Sequence, residues 1–391
     1  MKNTILKLAL PIILVTLLVL FPLPLPSRVG VLDFRPYWSA SLLLARGRDF
    51  GDVNQLDYIE RTLTGWSEPF TMYAWFAPTG HLILLPYTFL PFARAAYYWL
   101  LTNIAIVFVS TLLIWGAPVS RAIWIPLVAA FSFSMTLLSL IAGQINTVVL
   151  LGLAIFLAAE KAGSHYLAGV SLVLTTVKPH LVILTLPLLV LDLLRRRQWR
   201  VLAGAAIALG GCGIALFCLY PAWPISFLNL VISGMDTLRH TPTLNGLLVL
   251  AGAYVLGRWL WVAALLLAVL IWWKWGREWD LRTMIDASLL AGIIVSPLGW
   301  SYDQIVLLFP LLRILDWVTK GILSRKSSSA IVATLLAANA LSFYERVLTP
   351  SEVWFFWMPL VIGAVYLFAR TQAVLRRDVS RGGQAEVSYG A

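Results

Sequence analysis

Stretches of roughly 17–25 apolar residues, the length a helix needs to cross a bilayer, follow one another along almost the whole chain. No soluble core could absorb so many of them. In hydrocarbon only helices and closed barrels satisfy every backbone amide and carbonyl, and runs of this length are helical. Composition agrees: 60% of the 391 residues are hydrophobic and 12% are charged, against about 25% charged in a soluble domain. The chain reads as an all-α, polytopic transmembrane helix bundle.

The net charge of +11 does not point to nucleic acid. Basic residues gather in short loops between apolar runs, the pattern of cytoplasmic loops. The strongest such site is Arg195-Arg196-Arg197-Gln198-Trp199-Arg200, followed by Lys274 to Arg282, Lys320 to Lys326 and the segment from Arg370. Cys212 and Cys218 lie six apart in one apolar run, on different sides of a helix, and form no metal or disulfide pattern.

Crossings are expected at about 5–25, 79–91, 95–115, 122–160, 167–178, 180–194, 201–220, 258–273, 283–298, 303–318, 329–344 and 353–369. Counting 122–160 once gives about twelve crossings and places all four basic sites in the cytoplasm. The competing count takes 122–160 as two crossings and 167–194 as one. Lys2 and Lys7 before an apolar run ending in Phe21-Pro22-Leu23-Pro24-Leu25-Pro26 suggest an uncleaved signal-anchor helix over 1–26. Residues 27–78 then form a first extracytoplasmic loop carrying interfacial helices, 79–369 the bundle, and 370–391 a cytoplasmic tail without regular structure. A multi-pass protein of the plasma membrane is expected.

Asp33 opens that first loop, in Val31-Leu32-Asp33-Phe34-Arg35-Pro36-Tyr37-Trp38. It can cap a helix starting near Pro36, or it can serve as a base where the membrane meets water. The segment from Pro36 to Ala45 reads as a helix lying on the membrane. Asp49, Asp52, Asp57, Glu60 and Glu68 read as solvated loop charges. Lys178 interrupts an apolar stretch. Pro179 biases it away from helical dihedrals. It either snorkels to the interface or neutralises an anion such as a phosphate, with His180 beside it. Gly143 permits a break within 122–160, and Gln144 and Asn146 can hydrogen-bond between helices. Asp303 favours the positive end of a helix. Trp300 and Tyr302 suit a membrane interface. His81 and His165 have no partner in the sequence. Asp236, Arg239, His240 and Asn245 belong to a further outer loop.

Taken in order, five elements resemble glycosyltransferase family 87 of the GT-C superfamily, the polyprenyl-phosphomannose-dependent α-mannosyltransferases. They are Asp33-Phe34-Arg35-Pro36-Tyr37; Phe76-Ala77-Pro78 with Leu85-Pro86 and Leu90-Pro91-Phe92; Gly143-Gln144-Ile145-Asn146; Lys178-Pro179; and Ser296-Pro297-Leu298-Gly299-Trp300. Two departures stand out. Phe76-Ala77 replaces the first Tyr-Pro of the second element, and Ser301-Tyr302-Asp303-Gln304 replaces a histidine that many relatives carry after the tryptophan. The resemblance implies a GT-C-like fold and an inverting transfer of a hexose, mannose above others, from a polyprenyl-phosphate donor to an extracytoplasmic glycan or glycolipid. It implies Asp33 as general base and Lys178, Arg35 and His180 at the donor phosphate. Tyr37, Gln144, Asn146, Trp300, Tyr302 and Asp303 would contact substrate. No cofactor and no metal are implied, and the partners would be donor, acceptor and membrane lipids. A lipid or small-molecule transporter or flippase is the alternative, although the chain shows no repeated half of the kind transporters carry.

Overall fold

The computed structural model of the protein describes residues 29–116, 123–234, 241–349 and 351–388. The expected signal-anchor helix lies outside them, as do Asp236, Arg239 and His240. Every regular element among the described residues is a helix. Five are long and apolar enough to cross a membrane: Phe92–Trp115, Trp199–Leu219, Tyr254–Lys274, Arg325–Leu348 and Glu352–Arg376. A sixth arises if the bent pair Trp124–Ser132 and Ser134–Ala142 is one span. Only 11% of the apolar window in Tyr254–Lys274 is buried inside the protein, and Val255, Leu266 and Leu270 stand exposed on it. A helix apolar all round with so little protein cover needs hydrocarbon as its solvent. The fold fits a helical membrane protein.

The other apolar stretches are cut into pieces. Residues 79–91, expected to cross, form the six-residue helix Thr79–Leu84 and the 3-10 turn Leu85–Phe89, with Pro86 and Pro91 preventing a longer helix. The stretch from 167 breaks around Lys178-Pro179 into 3-10 turns Val173–Val177 and Pro179–Val182 before the helix Thr185–Arg195. A helix of that length spans about 17 Å, short of the roughly 30 Å of hydrocarbon. The expected break near Gly143 is present, between Ser134–Ala142 and Asn146–Lys161. A second break at Phe133 bends the preceding helix pair by 63°. Beyond Arg370 the helix Trp357–Ser388 continues, where an irregular tail was expected.

The chain divides into two compact units. The first comprises Met1–Ala105, Leu140–Ile145 and Cys212–Val231; the second comprises Ile106–Ser139, Asn146–Gly211 and Ile232–Ala391. In the first unit the helix Phe34–Ala45 is the centre. Every residue from Phe34 to Leu44 is buried, so it does not lie on a surface with one apolar face. Phe34 stacks on Phe92 and Trp99 at centroid distances of 6.0 and 5.9 Å. The next helix, Val53–Thr64, is amphipathic. Asp52 caps it by accepting the Asn54 and Gln55 amides, and Gly65 ends it at φ 72°. In the second unit Val149, Leu153, Phe156, Leu289, Phe309 and Leu312 are among the fully or almost fully buried residues of one apolar core.

The Phe133 bend shows how such a break is stabilised. The Ser134 N–H has lost its helical acceptor and donates to Asn339 Oδ1 at 2.8 Å. Asn339 Nδ2 donates to the Ser132 carbonyl at 2.9 Å, and Ser134 Oγ donates to Ser342 Oγ at 3.0 Å. One amide side chain thus satisfies a backbone group on each side of the bend. Asn339→Leu keeps the branched side-chain shape and orphans both groups. It is expected to cost about 1–3 kcal/mol, read as a lower thermal midpoint in detergent. An unchanged midpoint would contradict this reading of the bend.

Candidate active site

In the first unit the site is built on the left-handed turn at Gly143, φ 73°. A Cβ there would meet the Gly30 carbonyl oxygen at 2.5 Å, so only glycine allows the close approach. Gly30 N–H bonds Ile141 O at 2.6 Å and Asp33 N–H bonds Ala142 O at 2.8 Å. The indole of buried Trp99 donates to the Gly143 carbonyl at 2.8 Å. These bonds fix the turn against the start of the helix Phe34–Ala45, and the following Gln144 is fully buried.

Gln144 Nε2 donates to Asp33 Oδ2. Its carbonyl oxygen accepts the Tyr37 hydroxyl at 2.8 Å, so the amide orientation is set from both ends. Tyr37 and Asp33 are four residues apart and share a helix face. Tyr37 is held in turn by an edge-on contact with Phe76 at 4.8 Å. Asp33 sits at the N-cap position, but its side chain makes no capping bond. Its residue is only partly buried. The result is a partly buried carboxylate oriented by a buried donor, an arrangement a general base can use.

Arg35 falls about 200° around the helix from Asp33, on another flank. Its Nε donates to Thr64 Oγ1 at 2.7 Å and its guanidinium lies 4.6 Å from the Trp66 ring centroid. Burial lowers its basicity and the nearby Glu60 opposes that shift. Glu60 is no solvated loop charge. It is fully buried, with Oε2 accepting the Met72 N–H at 3.0 Å and Oε1 unpartnered among the described residues. Nothing in the local pattern marks it, because Asp57 and Arg61 on the same helix are an ordinary exposed pair at 2.8 Å.

In the second unit Asp303, in the first turn of the 3-10 segment Ser301–Leu307, organises the cluster. Its Oδ1 accepts Lys178 Nζ at 2.8 Å, and its Oδ2 accepts the Trp300 N–H at 3.0 Å. His180 Nε2 lies 3.4 Å from Oδ2. The side chains of Lys178 and Asp303 are 1% and 2% exposed, and that of His180 is 11% exposed. Lys178 therefore does not snorkel. Asn146, fully buried, donates to the Tyr302 carbonyl at 2.7 Å and reaches Asp303 Oδ1 at 3.4 Å. The Trp300 and Tyr302 rings are parallel within 12° at 6.0 Å, with the Lys178 ammonium 5.8 and 5.3 Å from their centroids.

The Gly143 to Asn146 element thus divides its work. Gln144 belongs to the first unit and holds Asp33; Asn146 belongs to the second and holds the Tyr302–Asp303 backbone and carboxylate. Trp99, which binds the Gly143 carbonyl, was missed in the sequence; Asn245, named there only as an outer-loop residue, lies in the helix Leu244–Leu250 and donates its amide to the Pro297 carbonyl. His165 pairs with Glu160 at 3.1 Å, and His81 with Ser41 at 3.0 Å. Among the described residues no group of three His, Cys, Asp or Glu side chains is placed to hold a metal ion.

Glu60 gives a pH signature. Burial raises its carboxyl from 4.5 to about 7, against the opposing Met72 N–H and Arg35. The folded chain then keeps a proton that the unfolded chain releases, so stability falls as pH rises from about 4.5 to about 7 and is level above. The shift is worth on the order of 3 kcal/mol. Glu60→Gln should melt above wild type at pH 8, with the difference closing towards pH 4.5. A difference independent of pH would contradict the burial of an ionisable Glu60.

The profile of glycosyltransferase family 87 matches residues 75–297. The chain is 31% identical over 183 residues to "Alpha-(1->3)-arabinofuranosyltransferase" from two strains of Mycobacterium tuberculosis, CDC 1551 / Oshkosh and ATCC 25618 / H37Rv. The alignment covers 45% of this chain and 38% of each relative. No solved structure matches.

Proposed function

Because this chain belongs to glycosyltransferase family 87, we propose that it is an inverting glycosyltransferase that moves a sugar from a polyprenyl-phosphate donor to a glycan or glycolipid. The observation that carries this reading is the Asp33 carboxylate, unused as a cap and oriented by Gln144 and Tyr37. In the reaction Asp33 takes the acceptor hydroxyl's proton as that oxygen attacks the anomeric carbon. The carbon–oxygen bond to the phosphate breaks on the opposite face, and configuration inverts. Polyprenyl phosphate leaves as an anion and needs no proton, so a single carboxylate suffices, unlike the acid–base pair of most glycoside hydrolases.

Lys178 and His180, both oriented by Asp303, are the groups proposed to meet the departing phosphate. Arg35, on the flank towards Thr64 and Trp66, is given no part in that step. The parallel Trp300 and Tyr302 rings offer an apolar shelf to the sugar's C–H face. Gln144 and Asn146 act by holding Asp33 and the shelf's backbone. The basic sites from Arg195 to Arg200 and from Arg370 onward favour a cytoplasmic side for those loops in a multi-pass plasma-membrane protein. The first loop and the reaction then lie outside.

Mannose is the sugar proposed first. The likeness to arabinofuranosyltransferases favours a pentofuranose as the second reading. Purified protein in lipid should be given labelled mannosyl and arabinofuranosyl polyprenyl phosphates with candidate glycan acceptors. Transfer from one donor, with the product's anomeric configuration opposite to the donor's, is expected. Absence of transfer from every polyprenyl-phosphate sugar, or a retained configuration, would overturn the reading.

A further inference from the structure

Behind the Trp300–Tyr302 ring pair lies a closed ring of hydrogen bonds to which the proposed reaction assigns nothing. Glu352, opening the 3-10 turn Glu352–Phe356, accepts the Ser301 N–H on Oε2 at 2.8 Å and Arg346 Nη1 on Oε1 at 2.7 Å. Arg346 Nη2 donates to the Ser301 hydroxyl and closes the ring. Its guanidinium lies 4.1 Å from the Phe355 ring centroid, and Gln304 Nε2 donates to the Phe355 carbonyl at 3.0 Å. Ser301 itself is fully buried. Every one of these residues belongs to the second unit.

The placement is specific. Ser301 is the residue between the two stacked aromatics, and both its backbone donor and its hydroxyl are held. On the other flank Asp303 Oδ2 accepts the Trp300 N–H, and the Tyr302 carbonyl accepts Ser139 Oγ and Asn146 Nδ2. Residues 300 to 302 are thus gripped from two directions, which fixes the Cα–Cβ directions that bring the rings parallel. The Arg346 and Glu352 side chains are part-buried, 26% and 20% exposed, so the pair adds to stability, and its geometry does more. The fork of one guanidinium across a carboxylate and a hydroxyl supplies geometry that a point charge could not.

We infer that Arg346 and Glu352 are positioning residues that set the Trp300–Tyr302 shelf and, through it, the grip on the sugar end of the donor. This rests on the donor role proposed for the shelf. A donor grip that is equal in ground and transition states shows, when lost, as a raised KM with kcat unchanged.

The test is donor KM and kcat for Arg346→Lys, Glu352→Gln and Ser301→Ala, with donor-induced thermal shift as a second readout. Arg346→Lys keeps the charge and loses the fork. It and Glu352→Gln should raise donor KM about 5–10-fold with kcat within about 2-fold, and shrink the thermal shift. Ser301→Ala should do the same more weakly. Asn339→Leu, which disturbs the same unit elsewhere, should lower the melting midpoint and leave donor KM alone. If Glu352→Gln does not fold, the lysine and alanine variants carry the test. An active wild type whose Arg346→Lys and Ser301→Ala variants keep the donor KM and thermal shift would overturn the inference. A wild type inactive with every polyprenyl-phosphate donor would instead overturn the function on which it rests.

Discussion

A helix that breaks away from water leaves amide and carbonyl groups with nothing to bond, and several of this protein's polar side chains answer that need. Asn339 serves the Phe133 bend, Trp99 the Gly143 turn, and Asn245 the loop after Ser296. The proposed catalytic groups stand at or beside breaks of the same kind. Gln144 follows the Gly143 turn, Lys178 separates two 3-10 turns, and Asp303 lies in the turn after Pro297. Broken helices provide what continuous ones cannot: side chains aimed off the helix axis from a backbone that is itself fixed. The same bonds that make the breaks tolerable also pre-organise the site.

Charge is handled in the same way. Lys178 and Asp303 are buried as a pair, and Asp286 lies between Arg282 and Arg313 at 3.1 Å from each. Removing one partner of such a pair leaves the other uncompensated, at a cost of about 3–5 kcal/mol. Loss of activity in Lys178→Ala would therefore not by itself distinguish a phosphate ligand from the counter-ion of Asp303. Asp33 differs in being only partly buried and in accepting a hydrogen bond from the neutral Gln144 amide.

The helical membrane class was legible because apolar run length and base composition report directly on solvent. So was the break at Gly143, because only glycine suits the left-handed turn that the approach to Gly30 demands. The ordered motifs marked Asp33, Gln144, Lys178 and Trp300, and these fall into two hydrogen-bonded clusters, one in each unit. What was not legible depends on tertiary packing. Hydropathy does not show that Pro86 and Pro91 cut 79–91 into short turns, that the helix Phe34–Ala45 is enclosed on all sides, or that Phe133 bends its helix. Nor does a loop rich in acids reveal that Glu60 alone among them is buried. Arg346 and Glu352 look like interface charges until their bonds to Ser301 are seen.

The central claim is that Asp33, held by Gln144, is the base. Its most direct test is the single-turnover transfer rate of Asp33→Asn with saturating donor and acceptor. Asparagine keeps the shape and cannot take the proton, so the rate should fall about 10²–10⁴-fold while the melting midpoint and donor-induced thermal shift stay near wild type. A folded, donor-binding Asp33→Asn protein that transfers sugar at the wild-type rate would contradict the claim.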